Sequence, residues 1–160
     1  MSQVQILVPV LLFFNIGIPF SAYNFLYKKK LISDVDITKR EERYLLFGLT
    51  TAAFLISLIL VYFLGNFEFF VLSLIMFIAA LTLFIVTLKW KISGHMILNA
   101  AAITIMVYLF GPKMLWLLPI IPLVGFARVY LKKHTLKQVI AGTIVGLGEP
   151  YLVLKLFGLI

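Results

Sequence analysis

Histidine occurs only twice in this chain of 160 residues, as His95 and His134. Its side chain titrates nearest to neutral pH, so it is the usual carrier of protons and of transferred groups. His95 closes the string Lys91-Ile92-Ser93-Gly94-His95, and His134 follows Arg128 by six positions in Ala127-Arg128-Val129-Tyr130-Leu131-Lys132-Lys133-His134. An arginine fork suits a phosphoryl group, and a histidine beside it could attack phosphorus or protonate a leaving oxygen. Ser93 is a plausible helix N-cap, and Gly94 lets backbone approach a ligand closely. Free N–H groups at such a helix start attract phosphate. The bland alternatives stand beside these: a plain cap with an interfacial histidine, and a short basic loop anchoring two helices. For Lys132 and Lys133 the bland reading is preferred. For Arg128, pointing back toward the bilayer, a buried partner is expected, since intramembrane charge is costly without a role.

A third string, Thr38-Lys39-Arg40-Glu41-Glu42-Arg43, adds three more basic residues. Thr38-x-x-Glu41 reads as a capping box, which predicts a helix starting there. Lys39 and Arg43 then share a helix face, and Arg40 lies close to it.

The elements that must position these residues are membrane helices. The chain is 63% hydrophobic and 12% charged, against about 25% charged in an ordinary soluble domain. No soluble core of this size could hide that much apolar surface. Cysteine is absent, which excludes disulfides, thiolate metal sites and a cysteine nucleophile. Apolar runs predict six spans: Val4–Tyr27, Tyr44–Leu64, Phe69–Leu88, His95–Phe110, Met114–Val129 and Leu136–Leu159. The first lacks a basic leader and is too long for a signal core, so it reads as a retained helix. Gly111-Pro112-Lys113 is a turn signal, and Gly146, Gly148, Glu149 and Pro150 predict a kink or break in the last span. The reading is all-α, a six-transmembrane-helix bundle forming one domain over residues 1–160.

Six spans put Lys28–Arg43, Lys89–Ser93 and Tyr130–His134 on one membrane face. Twelve of the fourteen Lys and Arg residues fall on that face or its helix ends, leaving Lys113 and Lys155 for the other. The positive-inside rule makes this face cytoplasmic. A basic juxtamembrane face accounts for the net charge of +8, and no aromatic-basic module points to nucleic acid. Both histidines and every arginine share the face.

Together these strings resemble the PAP2 superfamily, type 2 phosphatidic acid phosphatases and relatives. Its membrane members have six helices and the motifs Lys-x6-Arg-Pro, Pro-Ser-Gly-His and Ser-Arg-x5-His-x3-Asp. Here the second reads Ile92-Ser93-Gly94-His95, and the third Ala127-Arg128-x5-His134-x3-Gln138. The resemblance covers roughly residues 39–146. It implies a PAP2-like fold and a membrane lipid phosphatase that needs no metal or other cofactor. His134 would be the nucleophile, forming a phosphohistidine, and His95 the acid that protonates the leaving alcohol. Arg128, Arg43, Lys39, Arg40, Ser93 and Gly94 would hold the phosphoryl oxygens. The implied partners are membrane lipids and a lipid phosphate or diphosphate substrate, phosphatidate-like or polyprenyl. The implied location is the cell membrane.

The departures are specific. Asp36 stands where the first motif has lysine, and Tyr44 where it has proline. Ala127 removes a hydroxyl from the third motif. Gln138 replaces the aspartate that would orient His134; its oxygen can accept from the imidazole but cannot offset an imidazolium. Thr135-x-x-Gln138 is also a capping box for the last helix. These departures motivate an alternative: a catalytically impaired relative that binds lipid phosphate or acts as a membrane scaffold.

Overall fold

The computed structural model describes residues 3–160; Met1 and Ser2 lie outside the described residues. The described chain is helical throughout, without a strand. Its elements are α1 (Gln3–Leu12), a π-turn (Phe13–Gly17), α2 (Ile18–Lys28), α3 (Arg43–Leu64), α4 (Phe67–Lys89), α5 (Gly94–Phe110), a 3-10 segment (Pro112–Leu117), α6 (Ile120–Tyr130) and α7 (Leu136–Leu156). Five stretches are long and apolar enough to cross a membrane: Gln5–Lys28, Arg43–Leu64, Phe67–Lys89, Pro112–Tyr130 and Leu136–Leu156. The sixth, α5, has 17 residues, or about 25 Å of helix. The protein is a multi-pass, all-α membrane protein. It packs as two compact units, one ending at Trp90 and the other running from Lys91 to Ile160.

In the first unit, Pro19 explains the π-turn. Proline offers no N–H to the carbonyl four residues back and clashes with it, and the helix widens there so that Ile18 N–H reaches Phe13 O instead. Helix α2 then ends at Lys29, and the chain folds back over a small core of Leu26, Ile32, Ile37 and Leu46.

The capping box expected at Thr38 does not form. The Asp34 carboxylate accepts from Thr38 N (3.0 Å), Thr38 Oγ1 (3.0 Å) and Asp36 N (2.9 Å). An aspartate four residues upstream thus takes the hydroxyl and the N–H that a capping box would use. Helix α3 starts later, at Arg43, with no side-chain cap.

In the second unit, α5 and α7 run parallel in close contact. A Cβ added at Gly142 would lie 2.7 Å from Ser93 O and 2.9 Å from Met96 Cβ, and one at Gly146 would collide with the backbone of Ile97. Glycines four apart on α7 thereby form the small-residue seam that lets membrane helices approach backbone to backbone. Helix α7 continues through Pro150 to Leu156, so the expected break is absent; Pro150 is buried within the helix instead.

Candidate active site

The turn from α6 to α7 explains the Arg128-to-His134 spacing. Lys133 N donates to Arg128 O (3.0 Å) and Lys132 N to Val129 O (2.9 Å), the paired bonds of a Schellman closure. The residue at the left-handed position is Lys132, with φ +54°, where glycine would be the unstrained choice. His134 N also donates to Arg128 O, at 3.2 Å. The carbonyl of the arginine therefore receives the amide of the histidine. Five intervening residues are what this closure needs before the next helix starts.

Helix α7 begins at once. Its N-cap Thr135 and Gln138 form the reciprocal capping box expected from the sequence. The Gln138 Oε1 atom accepts from Thr135 N at 3.1 Å and lies 3.1 Å from His134 Nδ1. A backbone N–H can only donate, so the atom facing it is the amide oxygen. The imidazole Nδ1 must then carry the hydrogen, so that in the neutral ring Nε2 carries the lone pair. His134 is 8% exposed. The capping box and the histidine-orienting contact are one arrangement, made by one oxygen.

The other histidine sits at the start of α5. Ser93 is the N-cap by backbone conformation, with φ −84° and ψ 101°, but its hydroxyl makes no cap bond. Instead Ser93 O accepts from Met96 N (3.1 Å) and Ile97 N (3.2 Å). The Ser93 side chain is wholly buried, and its Oγ has no hydrogen-bond partner among the described residues. Gly94 is half-buried and His95 exposed. Because α5 and α7 are parallel, both helices point their positive N-terminal ends toward the same membrane face.

Hydrogen bonds join the histidine-bearing segments. Ser93 N donates to Gln138 O at 3.4 Å, and Lys91 Nζ donates to Lys133 O at 2.7 Å. Lys91 carries no role in the motif reading. No local signal marks it, since its partner lies 42 residues away. Its ammonium straps the segment leading to His95 onto the carbonyl preceding His134.

The structure therefore gathers His134, Gln138, Arg128, Ser93, Gly94 and His95 in the second unit. Lys39, Arg40 and Arg43 belong to the first, where each has structural partners. Arg43 is 5% exposed. Its Nε donates to Ile37 O (2.7 Å) and its Nη2 to Asp36 O (3.4 Å), while its guanidinium lies over Phe47. Ile37 holds φ +47°, a strained conformation for a β-branched residue, and Arg43 fastens that turn. Arg40 pairs with Glu41 and donates to Lys89 O at 2.7 Å. Lys39 pairs with Glu42 at 3.2 Å. Outside the membrane spans, the Ser33 N–H donates to Glu42 Oε2 and holds the Glu42 carboxyl below its ordinary range, with the Ser33 hydroxyl and Lys39 adding to the effect. Among the described residues no three His, Cys, Asp or Glu side chains come together as a metal-ligand set.

Comparison with known proteins bears on the second unit. Residues 86–158 match the family model of the PAP2 superfamily. The lipid A 1-phosphatase of Helicobacter pylori is 41% identical over 56 residues, which is 34% of this chain and 29% of that relative. The similarity thus spans under a third of the relative's length. No solved structure matches the chain. The segment bearing the first-motif residues Lys39, Arg40 and Arg43 lies outside the family match.

Proposed function

We propose that this chain, whose residues 86–158 match the PAP2 superfamily model, is a membrane lipid phosphatase acting through a phosphohistidine. The observation that carries the reading is the tie between Arg128 and His134, together with the Gln138 contact that presents Nε2 as the nucleophile. In the proposed reaction Arg128 and the N-terminal amides of α5 hold the phosphoryl oxygens and offset their charge. The Nε2 lone pair attacks phosphorus, and the bond to the leaving oxygen breaks. Protonated His95 gives its proton to that oxygen. Water then attacks the phosphorus of the N–P adduct and its proton returns to His95, releasing inorganic phosphate and restoring His134.

The substrate class is an amphiphile whose phosphate or diphosphate lies at headgroup depth, phosphatidate-like or an isoprenoid diphosphate. For Lys39, Arg40 and Arg43 a phosphate role is proposed on the family resemblance alone. The chain is read as one membrane domain over residues 1–160, in the cell membrane with its basic face cytoplasmic. Because the sequence has no cysteine, a single cysteine introduced at Lys29 and labelled from either side tests that orientation.

The test of the reaction is phosphate release by purified protein from a panel of lipid phosphates and diphosphates. His134→Ala should abolish release, and full activity in that variant sinks the nucleophile assignment.

One observation favours a second reading, an impaired relative that binds lipid phosphate. Gln138 is a neutral amide where the family motif has an acid. A comparable acid-to-amide change in a serine-protease triad costs about 10⁴ in rate. Lipid phosphate binding without turnover, in the wild type and in Gln138→Asp alike, would favour it.

A further inference from the structure

Helices α6 and α7 leave an apolar groove between them, a cavity of about 450 Å³. We propose that this groove holds one hydrocarbon chain of the lipid whose phosphate lies at Arg128 and His134. The inference rests on the phosphatase reading and adds to it a site for the tail.

Three observations select a hydrocarbon chain as the occupant. First, the groove offers nothing to a polar ligand. Its walls include Phe126, Val129, Leu136, Ile140 and Ile144, and its one hydroxyl, on Thr143, already donates to Val139 O at 3.0 Å. An occupant drawn from the bilayer gains there by packing, not by hydrogen bonding. Second, the groove reaches the two chain segments that bear the proposed phosphate site. Val129 directly follows Arg128, and Leu136 stands two residues beyond His134. A molecule filling it and reaching those residues must be apolar along its length and anionic at its end. Third, the groove lies along α6 and α7, both within candidate membrane spans. Phe126, Ile140 and Ile144 are strongly exposed there, so entry is from the side, out of the bilayer.

The depth of the groove has a backbone origin. Gly125 lines it, and a Cβ at that position would lie 2.9 Å from Val139 Cγ1. Glycine there lets α6 approach α7 at the floor while the bulkier residues hold the rims apart. Ile140 and Ile144, one turn apart on α7, lie where chain bulk and length would be read.

The experiment compares the wild type with Ile140→Trp and Ile144→Trp on two substrates, dipalmitoyl phosphatidate and the tailless phosphate ester phenyl phosphate. The expected result is at least about a tenfold loss of kcat/KM on phosphatidate, within the range one misfitting group costs in an apolar pocket, with phenyl phosphate hydrolysis unchanged. Equal losses on both substrates, or none on either, overturn the groove assignment. A phosphatidate bearing a mid-chain diazirine gives a second readout on the wild-type protein that needs neither turnover nor a variant. Label concentrated on Phe126, Ile140 and Ile144 supports the groove. Label spread equally onto the lipid-facing Ile59 and Phe63 of α3 overturns it. If the wild type releases no phosphate from any substrate, the reaction reading fails, and the labelling alone decides the groove.

Discussion

The Oε1 atom of Gln138 lies 3.1 Å from Nδ1 of His134. The same atom accepts the N–H of Thr135 at 3.1 Å, so its identity as oxygen is fixed by the backbone. Gln138 thus does two jobs that the sequence presents as rival explanations, capping α7 and setting the imidazole tautomer. What it lacks is the negative charge that would stabilise an imidazolium.

Separating those jobs is possible by substitution. Gln138→Leu removes both acceptor contacts, and should cost about 1 kcal/mol of stability through the lost bond to Thr135 N besides most of the turnover. Gln138→Glu keeps an acceptor and the capping geometry while adding charge. Its phosphate release should equal or exceed that of the wild type. A Glu variant as inactive as the Leu variant would contradict the orienting role. Thermal unfolding and phosphate release measured on both variants decide the matter.

Lys91 should affect rate more than substrate binding. Its bond to Lys133 O sets the position of the residue before His134, not a contact with the phosphate. Lys91→Met should lower kcat with KM little changed, by a factor reflecting the about 1.5–3 kcal/mol of a charged hydrogen bond. Lys91→Arg should restore part of the loss. A rise in KM alone would instead place Lys91 on the substrate.

Lys132 is strained where glycine would not be. It occupies the left-handed position of the α6 closure, at φ +54°. Lys132→Gly should stabilise the protein by about 0.5–1 kcal/mol, the left-handed penalty less the entropy glycine brings to the unfolded chain. The measurement is the unfolding midpoint in detergent. A lower midpoint would show that the lysine side chain holds something the backbone does not reveal.

The loop before α3 should loosen in acid. The folded Glu42 carboxyl is depressed, first by the Ser33 N–H. A depressed carboxyl contributes stability above its unfolded pKa of about 4.3 and loses it as pH falls through the lower folded value. Hydrogen exchange at Ser33 should therefore quicken, beyond its intrinsic pH dependence, as pH drops below about 4. In Glu42→Gln that extra quickening should be absent. If both proteins respond alike, the Ser33 contact is not what Glu42 protonation breaks.

Much of this protein was legible in one dimension because a bilayer leaves few choices. Every backbone polar group in hydrocarbon must be satisfied within the protein, and a single long apolar run does so only as a helix, so apolar run length alone predicted helices, and the Thr135–Gln138 pair marked a real helix start. The motif strings carried the family resemblance because their spacing is backbone geometry: Arg128-x5-His134 is a helix closure followed by a helix start. Where a competing local partner existed, the pattern misled. Asp34 took Thr38 away from its expected box, and α3 started at Arg43. Pro150 signalled a break, yet α7 runs on through it.

Only the folded chain could show which residues meet across long separations. Nothing near Lys91 in sequence announces Lys133, and nothing in Gly142 or Gly146 names Ser93 and Ile97 as the backbone they admit. Those pairings depend on how closely two helices approach, which side-chain volume on both decides together. The sequence by itself determined that this is a helical membrane protein with two histidines, one of them six positions after an arginine. The folded backbone decided that one Gln138 oxygen serves both the cap and His134, and that Arg43 fastens a strained turn in its own unit; tertiary packing decided that Lys91 straps the two histidine segments together.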